Sequence, residues 1–354
     1  MMKLFVPLTI YPKRRHIFPL LKPFEKGEDF LDADRVRGYG ISEKELTIVD
    51  SMEVSDYVVL PMSWNFYMDT NSVKEVETVL KEAEKHHKKV LSFMIGDFGV
   101  KIPNYPNVQV FRNSGDVRRV PTTHLGLPVF IEDPLPKIFK SDVVFERAYQ
   151  EKAVVGFCGQ ANTSLLNATK EIGKIVLRNV SSMLGLHKIP SQQLVSSTYV
   201  RAALLKRLEG STAVVTNFIY RKKYRAGATQ PEVRKRTTFQ FYENMKDSDY
   251  VLCVRGAGNF SVRFYETLAM GRIPVFIDTN CLLPLSHIID WKKHVVWVEY
   301  QDRNHVAEKI NEFHSRLTSE TFKQLQLDNR KLWHDTLQLG GFFKKFASST
   351  SEAT

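Results

Sequence analysis

Arg255, Gly256, Asn259, Ser261, Arg263 and Glu266 fall within one short stretch, and together they have the makings of an anion site. Two guanidiniums can fork onto a phosphate. A carboxylate one helical turn behind a phosphate loop is placed to accept hydrogen bonds from ribose hydroxyls. The surrounding pattern positions these groups. Tyr250 to Val254 is a short apolar, β-branched run that reads as a buried parallel strand. Gly256 and Gly258 break it, as residues that adopt positive φ without cost. Ser261 reads as the N-cap of a helix over 261–270, Gly271 as its left-handed end, and Ile273 to Ile277 as the next strand, with Pro274 at its entry. In an open α/β unit the ligand sits beyond the carboxyl end of the strand, where unpaired helix N–H groups and the dipole favour an anion. Val262, Tyr265, Leu268 and Ala269 share the expected core face, while Arg263 and Glu266 share a face toward the cleft. The spacing matches neither the dinucleotide G-x-G-x-x-G fingerprint nor the P-loop. A purely structural alternative stands beside this reading: a tight turn, with Arg263 and Glu266 forming an exposed ion pair worth about 0.3–0.5 kcal/mol.

Further candidates follow other strands. Gly159 and Gln160 open a loop over 159–163 after the apolar run Val154–Cys158. Its N–H groups face the same cleft, or it is an ordinary turn with Thr163 or Ser164 as cap; both readings stay open. Arg221, Lys222, Lys223 and Arg225 follow the run Ala213–Ile219. A charge run is commonly a solvated face, but this position after a strand makes Arg221 or Arg225 a candidate for a diphosphate, without choosing between them. Asp97 follows Gly96 behind another strand and is either a turn-capping aspartate or an acid–base group, with Asp69, Glu132 and Asp133 as rivals. The 10 histidines lack metal-ligand spacing and Asp278-Thr279-Asn280 is not a metal-binding Asp-x-Asp, so neither a metal nor another cofactor is expected. Cys158, Cys253 and Cys281 are odd in number and widely spaced. They read as small core residues in a reducing compartment, with a catalytic thiol as the sharper alternative.

The run VLCVRGAGNFSVRFYETLAMGRIPVFIDTNCLLPLSHIIDW (251–291) resembles the signature of the exostosin-like glycosyltransferase family. That signature reads strand, Arg-Gly, Ser-x-Arg-aromatic-x-Glu, small residue and Gly, Ile-Pro-Val, then Leu-Pro and Ile-x-Trp. DYVVLPMSW (56–64), Gly96-Asp97 and VVGFCGQANTS (154–164) are similar to other blocks of its bacterial and viral members. The resemblance covers most of the chain and is strongest over 249–291. It implies an α/β fold of two facing Rossmann-like domains, the GT-B architecture, with a final helix packing back on the first domain. It also implies transfer of a sugar from a nucleotide-sugar donor to the hydroxyl of a saccharide acceptor, free or lipid-linked, with inversion and without a metal. The setting would be cell-surface polysaccharide or glycan synthesis. In the family the Arg263 position is associated with donor phosphate and the Glu266 position with ribose. Inversion by direct displacement needs a base from the acceptor domain, which makes Asp97 the first candidate. Two other function classes stay open: a non-catalytic nucleotide-sugar or polysaccharide-binding protein, and a peripheral scaffold of a glycan-assembly complex.

The elements that must hold these residues follow from length and pattern. A chain of 354 residues suits two domains, and 43% hydrophobic with 25% charged residues suits a globular protein. Residues 1–150 read as the acceptor domain, with strands Lys3–Val6, Tyr57–Leu60, Lys89–Ile95 and Val108–Phe111, a helix Ser72–His87, and a loop over Met62–Asn71. Pro134 and Pro136 punctuate a linker over 134–152. Residues 151–335 read as the donor domain, with helices Ser164–Leu184, Ser197–Glu209, 233–246, 304–316 and 319–338. Residues 336–354 close the chain, with a disordered tail from Ala347. No run approaches the roughly 18 apolar residues of a membrane span. Eukaryotic members of the family are typically membrane-anchored, so the expectation is a cytoplasmic enzyme of bacterial or viral type, peripheral at the inner face of the membrane. The net charge of +11 suits an anionic leaflet or a phosphorylated substrate. Scattered Lys and Arg without a recognition motif argue against nucleic acid.

Overall fold

In the computed structural model, which describes residues 1–351 apart from 28, 162, 223–226 and 228, two parallel sheets carry the chain. The first holds β1 (Met2–Phe5), β2 (Leu46–Val49), β3 (Tyr57–Val59), β4 (Lys89–Phe93), β5 (Val108–Arg112) and β6 (His124–Gly126), in the order β2-β1-β3-β4-β5-β6. The second holds β7 (Ala153–Gln160), β8 (Val214–Arg221), β9 (Tyr250–Cys253), β10 (Ile273–Asp278) and β11 (Val296–Glu299), in the order β11-β10-β9-β7-β8. Every residue of β9 and β10 is buried, which is why these runs are continuously apolar instead of alternating. Strand order reverses between β1 and β3 in one sheet and between β7 and β9 in the other, and a ligand crevice opens beyond the carboxyl ends at such a reversal. These are two Rossmann-like domains, the α/β class expected.

The last helix, Leu339–Ser351, returns to the first domain. Phe343 is fully buried there, with its ring centroid 5.6 Å from Phe18 and 5.3 Å from Phe111. Gly340 permits the crossing, because a Cβ there would collide with the Gly40 carbonyl. The expected disorder from Ala347 is corrected as far as Ser351: Phe346 sits in the core and the helix runs through Ser351, while residues 352–354 lie outside the described residues. The segment expected as a linker is fastened to the second domain instead. Leu135 lies in that domain's core, Asp133 pairs with Arg330, and the fully buried Arg272 donates to the carbonyl of Phe145.

Two local expectations fail for reasons of packing. Met62–Asn71 contains a helix, Trp64–Asp69, capped by Ser63 and burying Trp64, Phe66 and Tyr67; its aromatic content was core, not loop surface. Val262 is 40% exposed at the first turn of the helix Val262–Ala269, whose inward face carries Phe264, Tyr265, Leu268 and Ala269.

The aromatic dock of the last helix carries a stability consequence. Phe343→Ala should lower the unfolding free energy by about 3–5 kcal/mol, read from chemical denaturation. A change below about 1 kcal/mol would mean that the helix contributes little to the first domain.

Candidate active site

The crevice beyond β7 and β9 is ringed by arginines. Arg201, on the helix Ser197–Glu209, donates to the carbonyl of Gln160 at 2.8 Å and of Arg255 at 3.4 Å, so it clasps the ends of both strands at the reversal point. Arg263 donates to the Cys158 carbonyl at 2.9 Å and lies 4.4 Å above the Phe157 ring. Gly159 makes room for it, since a Cβ there would stand 2.8 Å from the guanidinium. Arg255 donates to Gln193 Oε1 at 2.5 Å and to the Ala257 carbonyl at 3.1 Å. Arg221 donates to the Thr237 carbonyl at 2.7 Å and acts electrostatically on Arg263.

Burial pulls three of these cations, Arg201, Arg255 and Arg263, down. Arg201 falls to about 10, chiefly by desolvation and secondarily by the charge of Arg263. Arg255 and Arg263 also fall, again chiefly by desolvation. The Nε atoms of Arg201 and Arg263 are buried without a hydrogen-bond partner among the described residues. A buried donor without an acceptor and like charges held together are both unfavourable, and an anion with several oxygens relieves both.

Glu266 is half-buried on the same helix as Arg263 and accepts a hydrogen bond from Tyr242 at 3.4 Å. Its charge and burial together raise the Tyr242 phenol, burial being the larger cause. Ser261 is the N-cap in extended conformation, and its hydroxyl makes no capping bond. The loop glycines act otherwise than expected, because neither has positive φ. Gly256 faces open space, while Gly258 lies so close to the backbone of Asp97 that a Cβ would stand 2.7 Å from its carbonyl oxygen. Asp97 itself is exposed, and near enough to Arg255 to act on it electrostatically. Gly271, with φ of 64°, closes the helix in the left-handed region.

Asn259 is placed in the seam between the domains. Its backbone N–H donates to Ser114 Oγ at 2.8 Å, and its side-chain amide donates to the carbonyls of Gly115 at 2.8 Å and Thr279 at 3.0 Å. Arg225 lies outside the described residues. The three thiols are held protonated: burial raises Cys158 and pushes Cys253 and Cys281 up to about 12. Arg201 was missed in the sequence, although a basic residue on the inward side of a helix that buries Val200, Leu204 and Leu208 was a signal.

Residues 190–312 match the exostosin GT47 domain. That stretch is similar to an exostosin glycosyltransferase domain. Arg201, Arg221, Arg255, Arg263 and Glu266 all fall inside the matched stretch, whereas Asp97, Gly159 and Gln160 precede it. Over 72 residues the chain is 33% identical to the exostosin-1 homolog of Caenorhabditis elegans, covering 20% of this chain and 19% of that protein. Over 62 residues it is 37% identical to the probable glucuronosyltransferase 47 A of Physcomitrium patens, covering 18% of this chain and 14% of that protein. The alignments thus span less than a fifth of the curated relatives. The solved structure of WaaG, a glycosyltransferase involved in lipopolysaccharide biosynthesis, aligns over 98% of this chain and 99% of its own at 10% identity, with a TM-score of 0.31 that carries no argument.

On the first-domain side of Arg255 the crevice continues into a cavity of about 210 Å3, lined among others by Arg112, Asp116, His124 and Gln193. Arg112 faces His124 Nδ1 at 3.2 Å and has no lone pair to offer, so Nδ1 is the acceptor and the ring is neutral. Burial, with the Arg112 charge second, lowers His124 from 6.5 to about 4. The folded state therefore favours neutral His124, and that stability is complete above pH 6.5 and is lost as pH falls toward 4. Melting temperatures across this window should drop less steeply in His124→Gln than in the parent; equal slopes would remove His124 from the acid sensitivity.

Proposed function

We propose that this chain transfers a sugar from a nucleotide-sugar donor to a hydroxyl of a saccharide acceptor, with inversion and without a metal. The observation that carries the reading is the set of arginines at the β7–β9 crevice, inside the stretch that matches the exostosin domain. Four guanidiniums supply the positive charge that a departing diphosphate requires, in a site already shielded from water. Gly159, Gln160, Gly256 and Ser261 border the donor diphosphate, Asn259 holds the loop, and Glu266 accepts from the ribose hydroxyls. Asp97, beside Gly258 at the seam, serves as the base. It takes the proton of the acceptor hydroxyl as that oxygen attacks the anomeric carbon, and the electron pair of the breaking C–O bond leaves with the diphosphate held by Arg255, Arg263, Arg201 and Arg221.

The acceptor occupies the first-domain side of the cleft and belongs to polysaccharide or glycan assembly. A lipid-linked acceptor would bring this chain, with net charge +11, to an anionic leaflet on the cytoplasmic side. Among the described residues no helix is long and apolar enough to cross a membrane.

A panel of nucleoside diphosphates and nucleotide-sugars, with and without EDTA, tests the donor site directly. One nucleotide should raise the melting temperature by mass action whether or not EDTA is present; no shift with any of them would sink the donor reading. Glu266→Ala should weaken nucleotide binding by about 1–3 kcal/mol, and unchanged affinity would remove Glu266 from the ribose. Asp97→Asn should keep donor affinity and lower transfer roughly a hundredfold. A fully active variant would move the base elsewhere.

A further inference from the structure

The helix Leu165–Met183 and the turn after it carry apolar side chains that serve no core. Leu165, Leu166, Leu177, Met183, Leu184 and Leu186 are each at least 64% exposed, and Ser182 is the helix's buried residue. At 3.6 residues per turn, Leu166, Leu177, Val180 and Leu184 fall within about 60° of one another on the helix surface. Lys170 and Lys174 border that stripe on one edge, both exposed. Glu171 is the one acid among residues 165–188, and it is turned toward the protein, where Ser196 and Thr198 donate to it at 2.5 and 2.8 Å. The outer face is thus apolar at its centre and basic along one edge.

This face is also rigidly placed. Arg178 stacks 4.5 Å over Phe98, Lys188 donates to the Met68 carbonyl at 2.8 Å, and the N–H of Lys101 donates to the Lys188 carbonyl at 2.7 Å. The C-terminal end of the helix is therefore fixed to the first domain beside Asp97, while its N-terminal end follows β7, which takes in Gly159 and Gln160 as its last ladder residues where a loop was expected.

We propose that the outer face of Leu165–Met183 is a docking surface for an anionic lipid leaflet, with the leucines in the acyl boundary and Lys170 and Lys174 among the head groups. Charge decides against the nearest rival occupant. A second copy would bring the same basic border against itself, whereas acidic head groups complement it. Docking of this kind sets the mouth of the cleft at the membrane surface. That orientation delivers a lipid-linked acceptor only if the function proposed above holds, but the docking itself needs no sugar transfer.

Flotation with phosphatidylcholine vesicles, with and without phosphatidylglycerol, tests the proposal on the full chain. The parent should float with the anionic vesicles and release in high salt. Leu166→Gln/Leu177→Gln/Leu184→Gln should reduce the bound fraction roughly tenfold or more while the melting temperature stays unchanged. Lys170→Glu/Lys174→Glu should abolish the preference for anionic lipid. Failure of the parent to float, or equal binding by the leucine variant, overturns the proposal. So does a dimer in solution that the leucine variant converts to a monomer without any vesicle binding, since a second copy would then cover the face. A nucleoside diphosphate shift measured on the same samples separates failure of docking from failure of the donor site.

Discussion

One buried amide fixes how the two sheets meet. Asn259 lies on the loop after β9, and its amide N–H groups reach carbonyls of both domains, Gly115 in the first and Thr279 in the second, while its carbonyl accepts from the Thr279 hydroxyl. The seam continues on either side, with the N–H of Val117 donating to the Asn280 carbonyl and that of Leu282 to the Gly115 carbonyl. An aspartate would lack the donors, and a leucine would leave buried carbonyls unsatisfied. The side of the crevice that faces the first domain depends on this bond set. It aims Arg255 between the domains and brings Gly258 against the backbone of Asp97.

Charge at the crevice follows a different logic from charge at the seam. Four arginines in one crevice would be a poor choice for stability, and burial, the chief cause of the lowered proton affinity of Arg201 and Arg263, adds to that cost. Part of the guanidinium surface is accommodated by stacking, Arg263 on Phe157 and, more distantly, Arg201 on the same ring. Lysine could not substitute, because only a planar fork can hold a backbone carbonyl with one N–H, stack on a ring and still present edges to a phosphate.

How much of this was legible in the sequence depended on how local the interaction was. The strand, loop and helix from Tyr250 to Ala269 share one short stretch, and apolar runs with helical spacing revealed them. The left-handed end at Gly271 was equally local. What escaped lies in contacts between distant segments. Asn259 meets Ser114 across 145 residues, and nothing in the loop's own pattern points there. Gly258 is glycine because Asp97 crowds it, not because the turn needs positive φ. Met62–Asn71 looked like a surface loop because aromatics beside polar residues carry no clear period over one short helix, and burial against the sheet decides the matter. The tail from Ala347 was expected to be disordered as a chain end, yet Phe346, just before it, docks on Phe111 and carries the helix with it.

The arginines are in place before any ligand arrives. Arg201 is pinned by the strand ends it joins, Arg263 by the Cys158 carbonyl, and Arg255 by Gln193 and its own loop. Each anchor is backbone or a side chain held in turn by the seam, since Gln193 also donates to Asp116 and to the Thr279 carbonyl. Reorganising charged side chains at the moment of bond breaking would raise the barrier, whereas cations fixed during folding stabilise developing charge without that cost. Preorganisation therefore explains why the fold tolerates clustered cations that weaken it: the same carbonyls that hold them against mutual repulsion would also determine where the diphosphate of the proposed donor sits.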